Sequence, residues 1–133
     1  MPYAEGRVFC DADSHLMETS DWLVRYADPD IRERIRPLDL GGAGAHGEEL
    51  LALADKHAAT VHGVAPEKLE AELMTRKGWL AYGSSDGSER GKALDLLGFS
   101  RQLVFTTFAT TQFQGKDLEL FYGGTRAHNR AMA

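Results

Sequence analysis

Two short apolar runs bracket a long stretch of helical periodicity in this chain. Val8, Phe9 and Cys10 form the first run, and Leu103, Val104 and Phe105 form the second. Each reads as a strand buried on both faces, as in a parallel sheet, over residues 7–13 and 101–105. Between them the apolar spacing turns helical. Ser20 or Asp21 opens a short helix to about Tyr26, with Trp22 and Leu23 as core residues. Pro29, after Asp28, suits the first turn of another helix that stops by Pro37. Residues 48–62 place Leu50, Leu51, Ala54, Ala58 and Val61 on one face. His57 and His62 then fall on the exposed side. Pro66 starts a helix to about Gly78, with Leu69 and Leu73 spaced i, i+4. Ser88 caps a helix over 88–97 that Gly98 stops. A helix from Gly115 is interrupted at Gly123 and Gly124, and Thr125 caps the last one, over 125–133.

Strand, excursion, helix, strand is the order of a parallel βαβ unit, so the pattern predicts an α/β chain. The excursion, residues 16–87, far exceeds the about 2–6 residues of an ordinary βα loop. At 133 residues and 43% apolar, the chain is one domain of ordinary globular composition.

Charge and composition narrow the function classes. The net charge is −5 and the basic residues are dispersed, which gives nucleic-acid binding little support. The single Cys10 cannot form an internal disulfide and fits a reducing compartment. No apolar run reaches membrane-spanning length, and the N-terminus lacks a signal-peptide core. The expectation is a cytoplasmic chain with no membrane partner. The glycine-rich stretch 40–47, which includes His46, lacks the order of a phosphate-binding loop. Arg32, Arg34 and Arg36 read as a solvated helix face, with substrate-carboxylate binding by one of them as the minority reading.

The candidate chemistry sits at the end of the first strand, in Asp11, Asp13 and His15 followed by Glu18. Strand alternation puts Asp11, Asp13 and His15 on one face, about 7 Å apart at each step. Carboxylate and neutral imidazole are the ligand types of a divalent metal. The same residues also read as a turn with side-chain caps, and spacing alone leaves both readings open. Asp11 suits a place behind the ligands, holding one of them or a backbone amide. Glu18 either reaches the metal or caps the helix that follows it. Thr106, Thr107, Thr110, Thr111 and Gln112 follow the second strand as turn polar groups or as part of the same face.

The stretch Val8 to Leu23 resembles the opening of amidohydrolase-related proteins, the branch of the amidohydrolase superfamily that includes aminocarboxymuconate-semialdehyde decarboxylase. That family's first strand usually carries Asp-x-His-x-His; here it is Asp11-x-Asp13-x-His15. Lys92 to Phe105 resembles the family's first helix and second strand. Arg126 to Ala131 resembles the start of a later helix, with His128 in a position usually held by Tyr.

The resemblance implies a TIM (β/α)8 barrel, helix-rich here with two short parallel strands. A complete barrel needs about 250 residues, so this chain would be its N-terminal part, an incomplete barrel. The resemblance also implies a metal-dependent hydrolase or non-oxidative decarboxylase (a carboxy-lyase). It would act on a small organic carboxylate or cyclic substrate, with Zn²⁺, or else Mn²⁺, held by Asp13 and His15. The remaining ligands and the catalytic residues would come from strands beyond Ala133. The 133-residue chain alone would then bind metal weakly, show little activity and expose a sheet face suited to pairing of copies. The competing expectation is a non-catalytic helical binding or regulatory module in which Asp11, Asp13 and His15 form a turn.

Overall fold

The computed structural model describes residues 6–40, 44–60 and 66–133. It is a mixed helix and strand chain built on two parallel strands, β1 (Phe9–Leu16) and β2 (Phe99–Thr106). No helix of the described residues is long and apolar enough to cross a membrane. Among the described residues the strands are accompanied by the helices α1 (Pro29–Arg32), α2 (Gly44–Thr60), α3 (Pro66–Glu72), α4 (Gly87–Leu97) and α5 (Leu118–Met132). Short 3-10 turns lie at Val24–Tyr26, Gly78–Leu80 and Ala109–Gln112. Helix α4 leads straight into β2, so β1, the excursion, α4 and β2 follow the expected order.

Both strands run longer than their apolar runs suggest. The pairing continues past Asp13 because β1 absorbs an extra residue: Asp11 is opposite Gln102, but Ser14 is opposite Val104. Three positions on β1 therefore match two on β2, a bulge that keeps the ladder going to Leu16. The expectation of strands buried on both faces is corrected. Val8, just before β1, is 81% exposed, and Phe9, Leu103 and Phe105 are exposed too. Cys10 is likewise exposed. Apolar character expresses a preference for burial, and the described elements cover this pair only in part.

The main core lies beside the sheet. Leu16 meets Trp22, Leu23, Ala27, Ile31 and Ile35 from the segment after β1, with Ala109, Phe113 and Ala127 from the far end of the chain. Trp22 and Leu23 are core residues, as their place in the pattern predicts. A smaller cluster joins Tyr82 to Ala93 of α4.

Helix ends show where local signals hold and where packing overrides them. Gly98 ends α4 at φ +78°, the left-handed conformation that glycine adopts without strain. The cap at the other end is Asp86 rather than Ser88. Asp86 Oδ1 accepts the Glu89 amide hydrogen at 2.9 Å and the Ser88 hydroxyl hydrogen at 2.5 Å.

Helix α5 runs unbroken through Gly123 and Gly124, against the expected interruption. A Cβ at Gly123 would stand 2.5 Å from Ile31 Cγ1, and one at Gly124 would stand 2.3 Å from Phe113 Cβ and Cγ. The two glycines are contact points that let α5 press on the core, and that packing outweighs their helix penalty of about 1 kcal/mol each. Thr125 caps nothing; its hydroxyl donates back to the Phe121 carbonyl. The cap of α5 is Asp117, which accepts from the Leu120 amide.

Arg32 at the end of α1 and Arg34 and Arg36 after it are not merely a solvated face. Arg34 forks onto Asp117 and Glu119 at 2.6 and 2.9 Å. Arg36 donates to the carbonyls of Gln112 and Gln114, and the fully buried Gln112 returns a bond to the Arg36 carbonyl at 2.7 Å. Arg32 donates to the Ala27 carbonyl. His57, expected on the exposed side of α2, is half-buried against Glu89 of α4, Nε2 to Oε2 3.7 Å. His62 lies outside the described residues. His46 is exposed, 3.8 Å from Glu49.

Candidate metal centre at the end of β1

The bulge in β1 decides which side chains meet. Plain alternation would align Asp11, Asp13 and His15; the register instead shifts between Asp11 and Ser14, where Asp11 bonds to Gln102 of β2 and Ser14 accepts from Arg90 of α4. Asp11 Oδ2 accepts from Gln102 Nε2 at 2.9 Å, and its Oδ1 accepts the Asp13 amide hydrogen at 3.0 Å. The Gln102 bond, then the Asp13 amide, hold the Asp11 carboxyl below the usual carboxylate range, and the charge of Arg90 adds to this against the opposing effect of burial. Asp11 therefore stays ionised, and both of its oxygens are engaged.

Arg90 of α4 binds this corner together. Its guanidinium donates to Ser14 Oγ, Gln102 Oε1, the His15 carbonyl and the Ser84 carbonyl at 2.9–3.2 Å. Burial lowers its pKa, and Asp11 opposes that shift. An arginine so held remains a cation throughout the neutral range.

Asp13 and His15 emerge on the open side. Asp13 Oδ1 lies 3.6 Å from His15 Nε2, with the Asp13 side chain 90% exposed and that of His15 44% exposed. Two ligands of a tetrahedral Zn²⁺, each at about 2.0–2.1 Å, stand about 3.4 Å apart. The pair therefore has the spacing of one edge of a coordination shell. The fit is that of half a site, because no group of three or more His, Cys, Asp or Glu side chains suited to hold an ion occurs among the described residues. The His15 ring also sits 5.9 Å from the Phe105 ring, and Nδ1 lies 3.4 Å from Thr107 Oγ1.

Glu18 does not join them, and the helix after it is not what it caps. It is fully buried. Its Oε1 accepts the backbone amide hydrogens of Thr107, Phe108 and Ala109 at 2.9, 3.0 and 2.9 Å, and Oε2 also accepts from Phe108 at 3.2 Å. Three successive donors at the start of the Ala109–Gln112 turn thus converge on one carboxylate. The Glu18 carbonyl accepts from Trp79 Nε1 at 2.8 Å, and Trp79 stacks on Phe108. Glu18 locks the ends of β1 and β2 to each other.

A cavity of ≈ 360 Å³ opens beside Asp13 and His15, between β1, Tyr82, Ser84 and the Leu94 side of α4. Sequence reading missed the parts of this corner that come from afar. Arg90 and Gln102 carry no local signal, and Thr107 was one of several polar residues after β2. Only the ionisable cluster on β1 was visible. No protein-family model, curated protein or solved structure matches the chain.

Proposed function

We propose that the chain is the N-terminal part of a metal-dependent enzyme of the amidohydrolase-related kind, a hydrolase or non-oxidative decarboxylase. The observation that carries this reading is the 3.6 Å approach of Asp13 Oδ1 and His15 Nε2 at the C-terminal end of a parallel strand, beside a ≈ 360 Å³ cavity. The C-terminal ends of such strands are where α/β enzymes place their chemistry.

In this reading His15 supplies a neutral nitrogen and Asp13 an oxygen to one divalent cation, Zn²⁺ or Mn²⁺. When bound, that ion activates water or polarises a substrate oxygen. Asp11, Gln102 and Arg90 hold the strand end that presents the two ligands. The cavity takes the small organic substrate, a carboxylate or a cyclic compound. Two protein ligands are fewer than the three usual at catalytic zinc. The remaining ligands belong to further parallel strands of a (β/α)8 barrel, and the exposed Leu103 and Phe105 support such cover.

Calorimetric titration with Zn²⁺ and Mn²⁺ tests the site. The expected result is weak binding that Asp13→Ala and His15→Ala each abolish. Binding that neither replacement alters would sink the reading, as would tight one-to-one binding by the monomeric 133-residue chain.

A further inference from the structure

Thr107, just past the end of β2, stands where the two strand ends meet. Its hydroxyl oxygen lies 2.7 Å from the Leu16 carbonyl oxygen, 3.4 Å from His15 Nδ1 and 4.0 Å from Met17 Sδ. A threonine hydroxyl has one hydrogen to give. The Leu16 carbonyl can only accept, and it is much the nearest partner, so the hydrogen goes there. Toward His15 the same oxygen can then only accept. The nitrogen that faces it at 3.4 Å, Nδ1, thus meets an acceptor, which favours the neutral ring with its hydrogen on Nδ1. That leaves the lone pair on Nε2, the nitrogen that faces Asp13 at 3.6 Å.

This arrangement is held from behind. The Thr107 amide donates to the fully buried Glu18 at 2.9 Å, so the residue cannot drift from the strand end without breaking that bond. Asp13 Oδ1 stands at 3.6 Å from Nε2, beyond hydrogen-bond distance, and its side chain is 90% exposed to water. Histidine free in water favours the opposite tautomer, with the hydrogen on Nε2, so the ring needs a specific partner to invert that preference.

We infer that Thr107 is a positioning residue, which holds His15 in its Nδ1–H tautomer and so keeps Nε2 open as a ligand. Its purpose rests on the metal reading above; the tautomer itself does not. A metal-binding histidine commonly has its other nitrogen fixed in this way, and loss of the partner typically weakens metal affinity about 10–100-fold.

Long-range ¹H–¹⁵N correlation spectra of the metal-free chain, recorded roughly two pH units above the ordinary imidazole value, report the tautomer of each histidine. The His15→Gln spectrum assigns the signal. The wild-type chain is expected to show His15 with its hydrogen on Nδ1. Thr107→Val should move it to Nε2 and weaken Zn²⁺ binding about 10–100-fold, while Thr107→Ser should restore both. A His15 that carries its hydrogen on Nε2 in the wild type, or that stays on Nδ1 in Thr107→Val, overturns the inference. The expected tautomer change in a chain that ignores Zn²⁺ upholds the hold of Thr107 on His15 and overturns the metal reading instead.

Discussion

Glu18, fully buried, accepts the backbone amide hydrogen of Thr107 at 2.9 Å across 89 positions of chain. Phe108 and Ala109 share the same carboxylate, so one side chain satisfies three successive donors. A buried donor without a partner costs about 1–3 kcal/mol. Ala109 is fully buried while Thr107 and Phe108 are half-buried, so Glu18→Ala should destabilise the chain by about 1–3 kcal/mol. Glu18→Gln should do less harm, since it keeps an acceptor oxygen in place. Urea unfolding followed by circular dichroism checks both, and a Glu18→Ala chain as stable as the parent would refute the keystone role.

Glycine-to-alanine changes should have opposite signs in two helices. Gly91 of α4 has open space where a Cβ would go, and alanine there should stabilise by up to about 1 kcal/mol. At Gly124 of α5 the same methyl would meet Phe113 at 2.3 Å. Overpacking costs about 1–3 kcal/mol, so Gly124→Ala should destabilise despite its better helix propensity. Thermal melts of the two variants, compared with the parent, give the signs directly.

Asp28 should contribute to acid lability. Its carboxylate accepts from Arg130 Nη1 at 2.6 Å and from Arg126 Nε at 3.1 Å, and these bonds hold its pKa below the ordinary value, the Arg130 bond most of all. A lowered carboxyl stabilises the fold above its unfolded pKa of about 4, and loses that contribution as pH falls through the folded value. Asp117, lowered first by the Leu120 amide and then by Arg34, acts in the same direction. Unfolding free energy should therefore fall below about pH 4. Asp28→Asn should be less stable at pH 7 and show a shallower acid slope. An unchanged slope would mean that the arginine pair leaves Asp28 unperturbed.

The exposed apolar side chains of the strand pair should make the chain self-associate. Leu103 is 56% exposed and Phe105 45% exposed on β2, and Val8 precedes β1. Uncovered strand faces of this kind favour association between chains. Light scattering of the 133-residue chain should rise with concentration, and Leu103→Lys should suppress the rise without loss of helical content. A chain that stays monomeric at high concentration would show that these residues drive no association.

Much of the local frame was legible. Apolar runs marked both strands, Pro29 marked the start of α1 and Gly98 marked the end of α4. The neighbourhood of Asp13 and His15 was readable too, because residues two apart on a strand lie within reach of one another whatever the rest of the chain does. Where reading failed, the deciding partner was remote. The bulge between Asp11 and Ser14 depends on the match of β1 to β2, and nothing in residues 9–16 announces it.

The sequence by itself determined what depends on near neighbours: two strand-forming apolar runs with a helix before the second, the apolar segment around Trp22 and Leu23, and an acidic strand end followed by an imidazole. Tertiary structure alone decided that Glu18 faces three amides of the opposite strand end, that Arg90 reaches both strands, that α5 runs through two glycines onto Ile31 and Phe113, and that His57 packs on Glu89. The physical reason is range. Propensity, capping and alternation act over about four residues, whereas a buried carboxylate or guanidinium finds its donors and acceptors only after segments roughly ninety positions apart have been packed together.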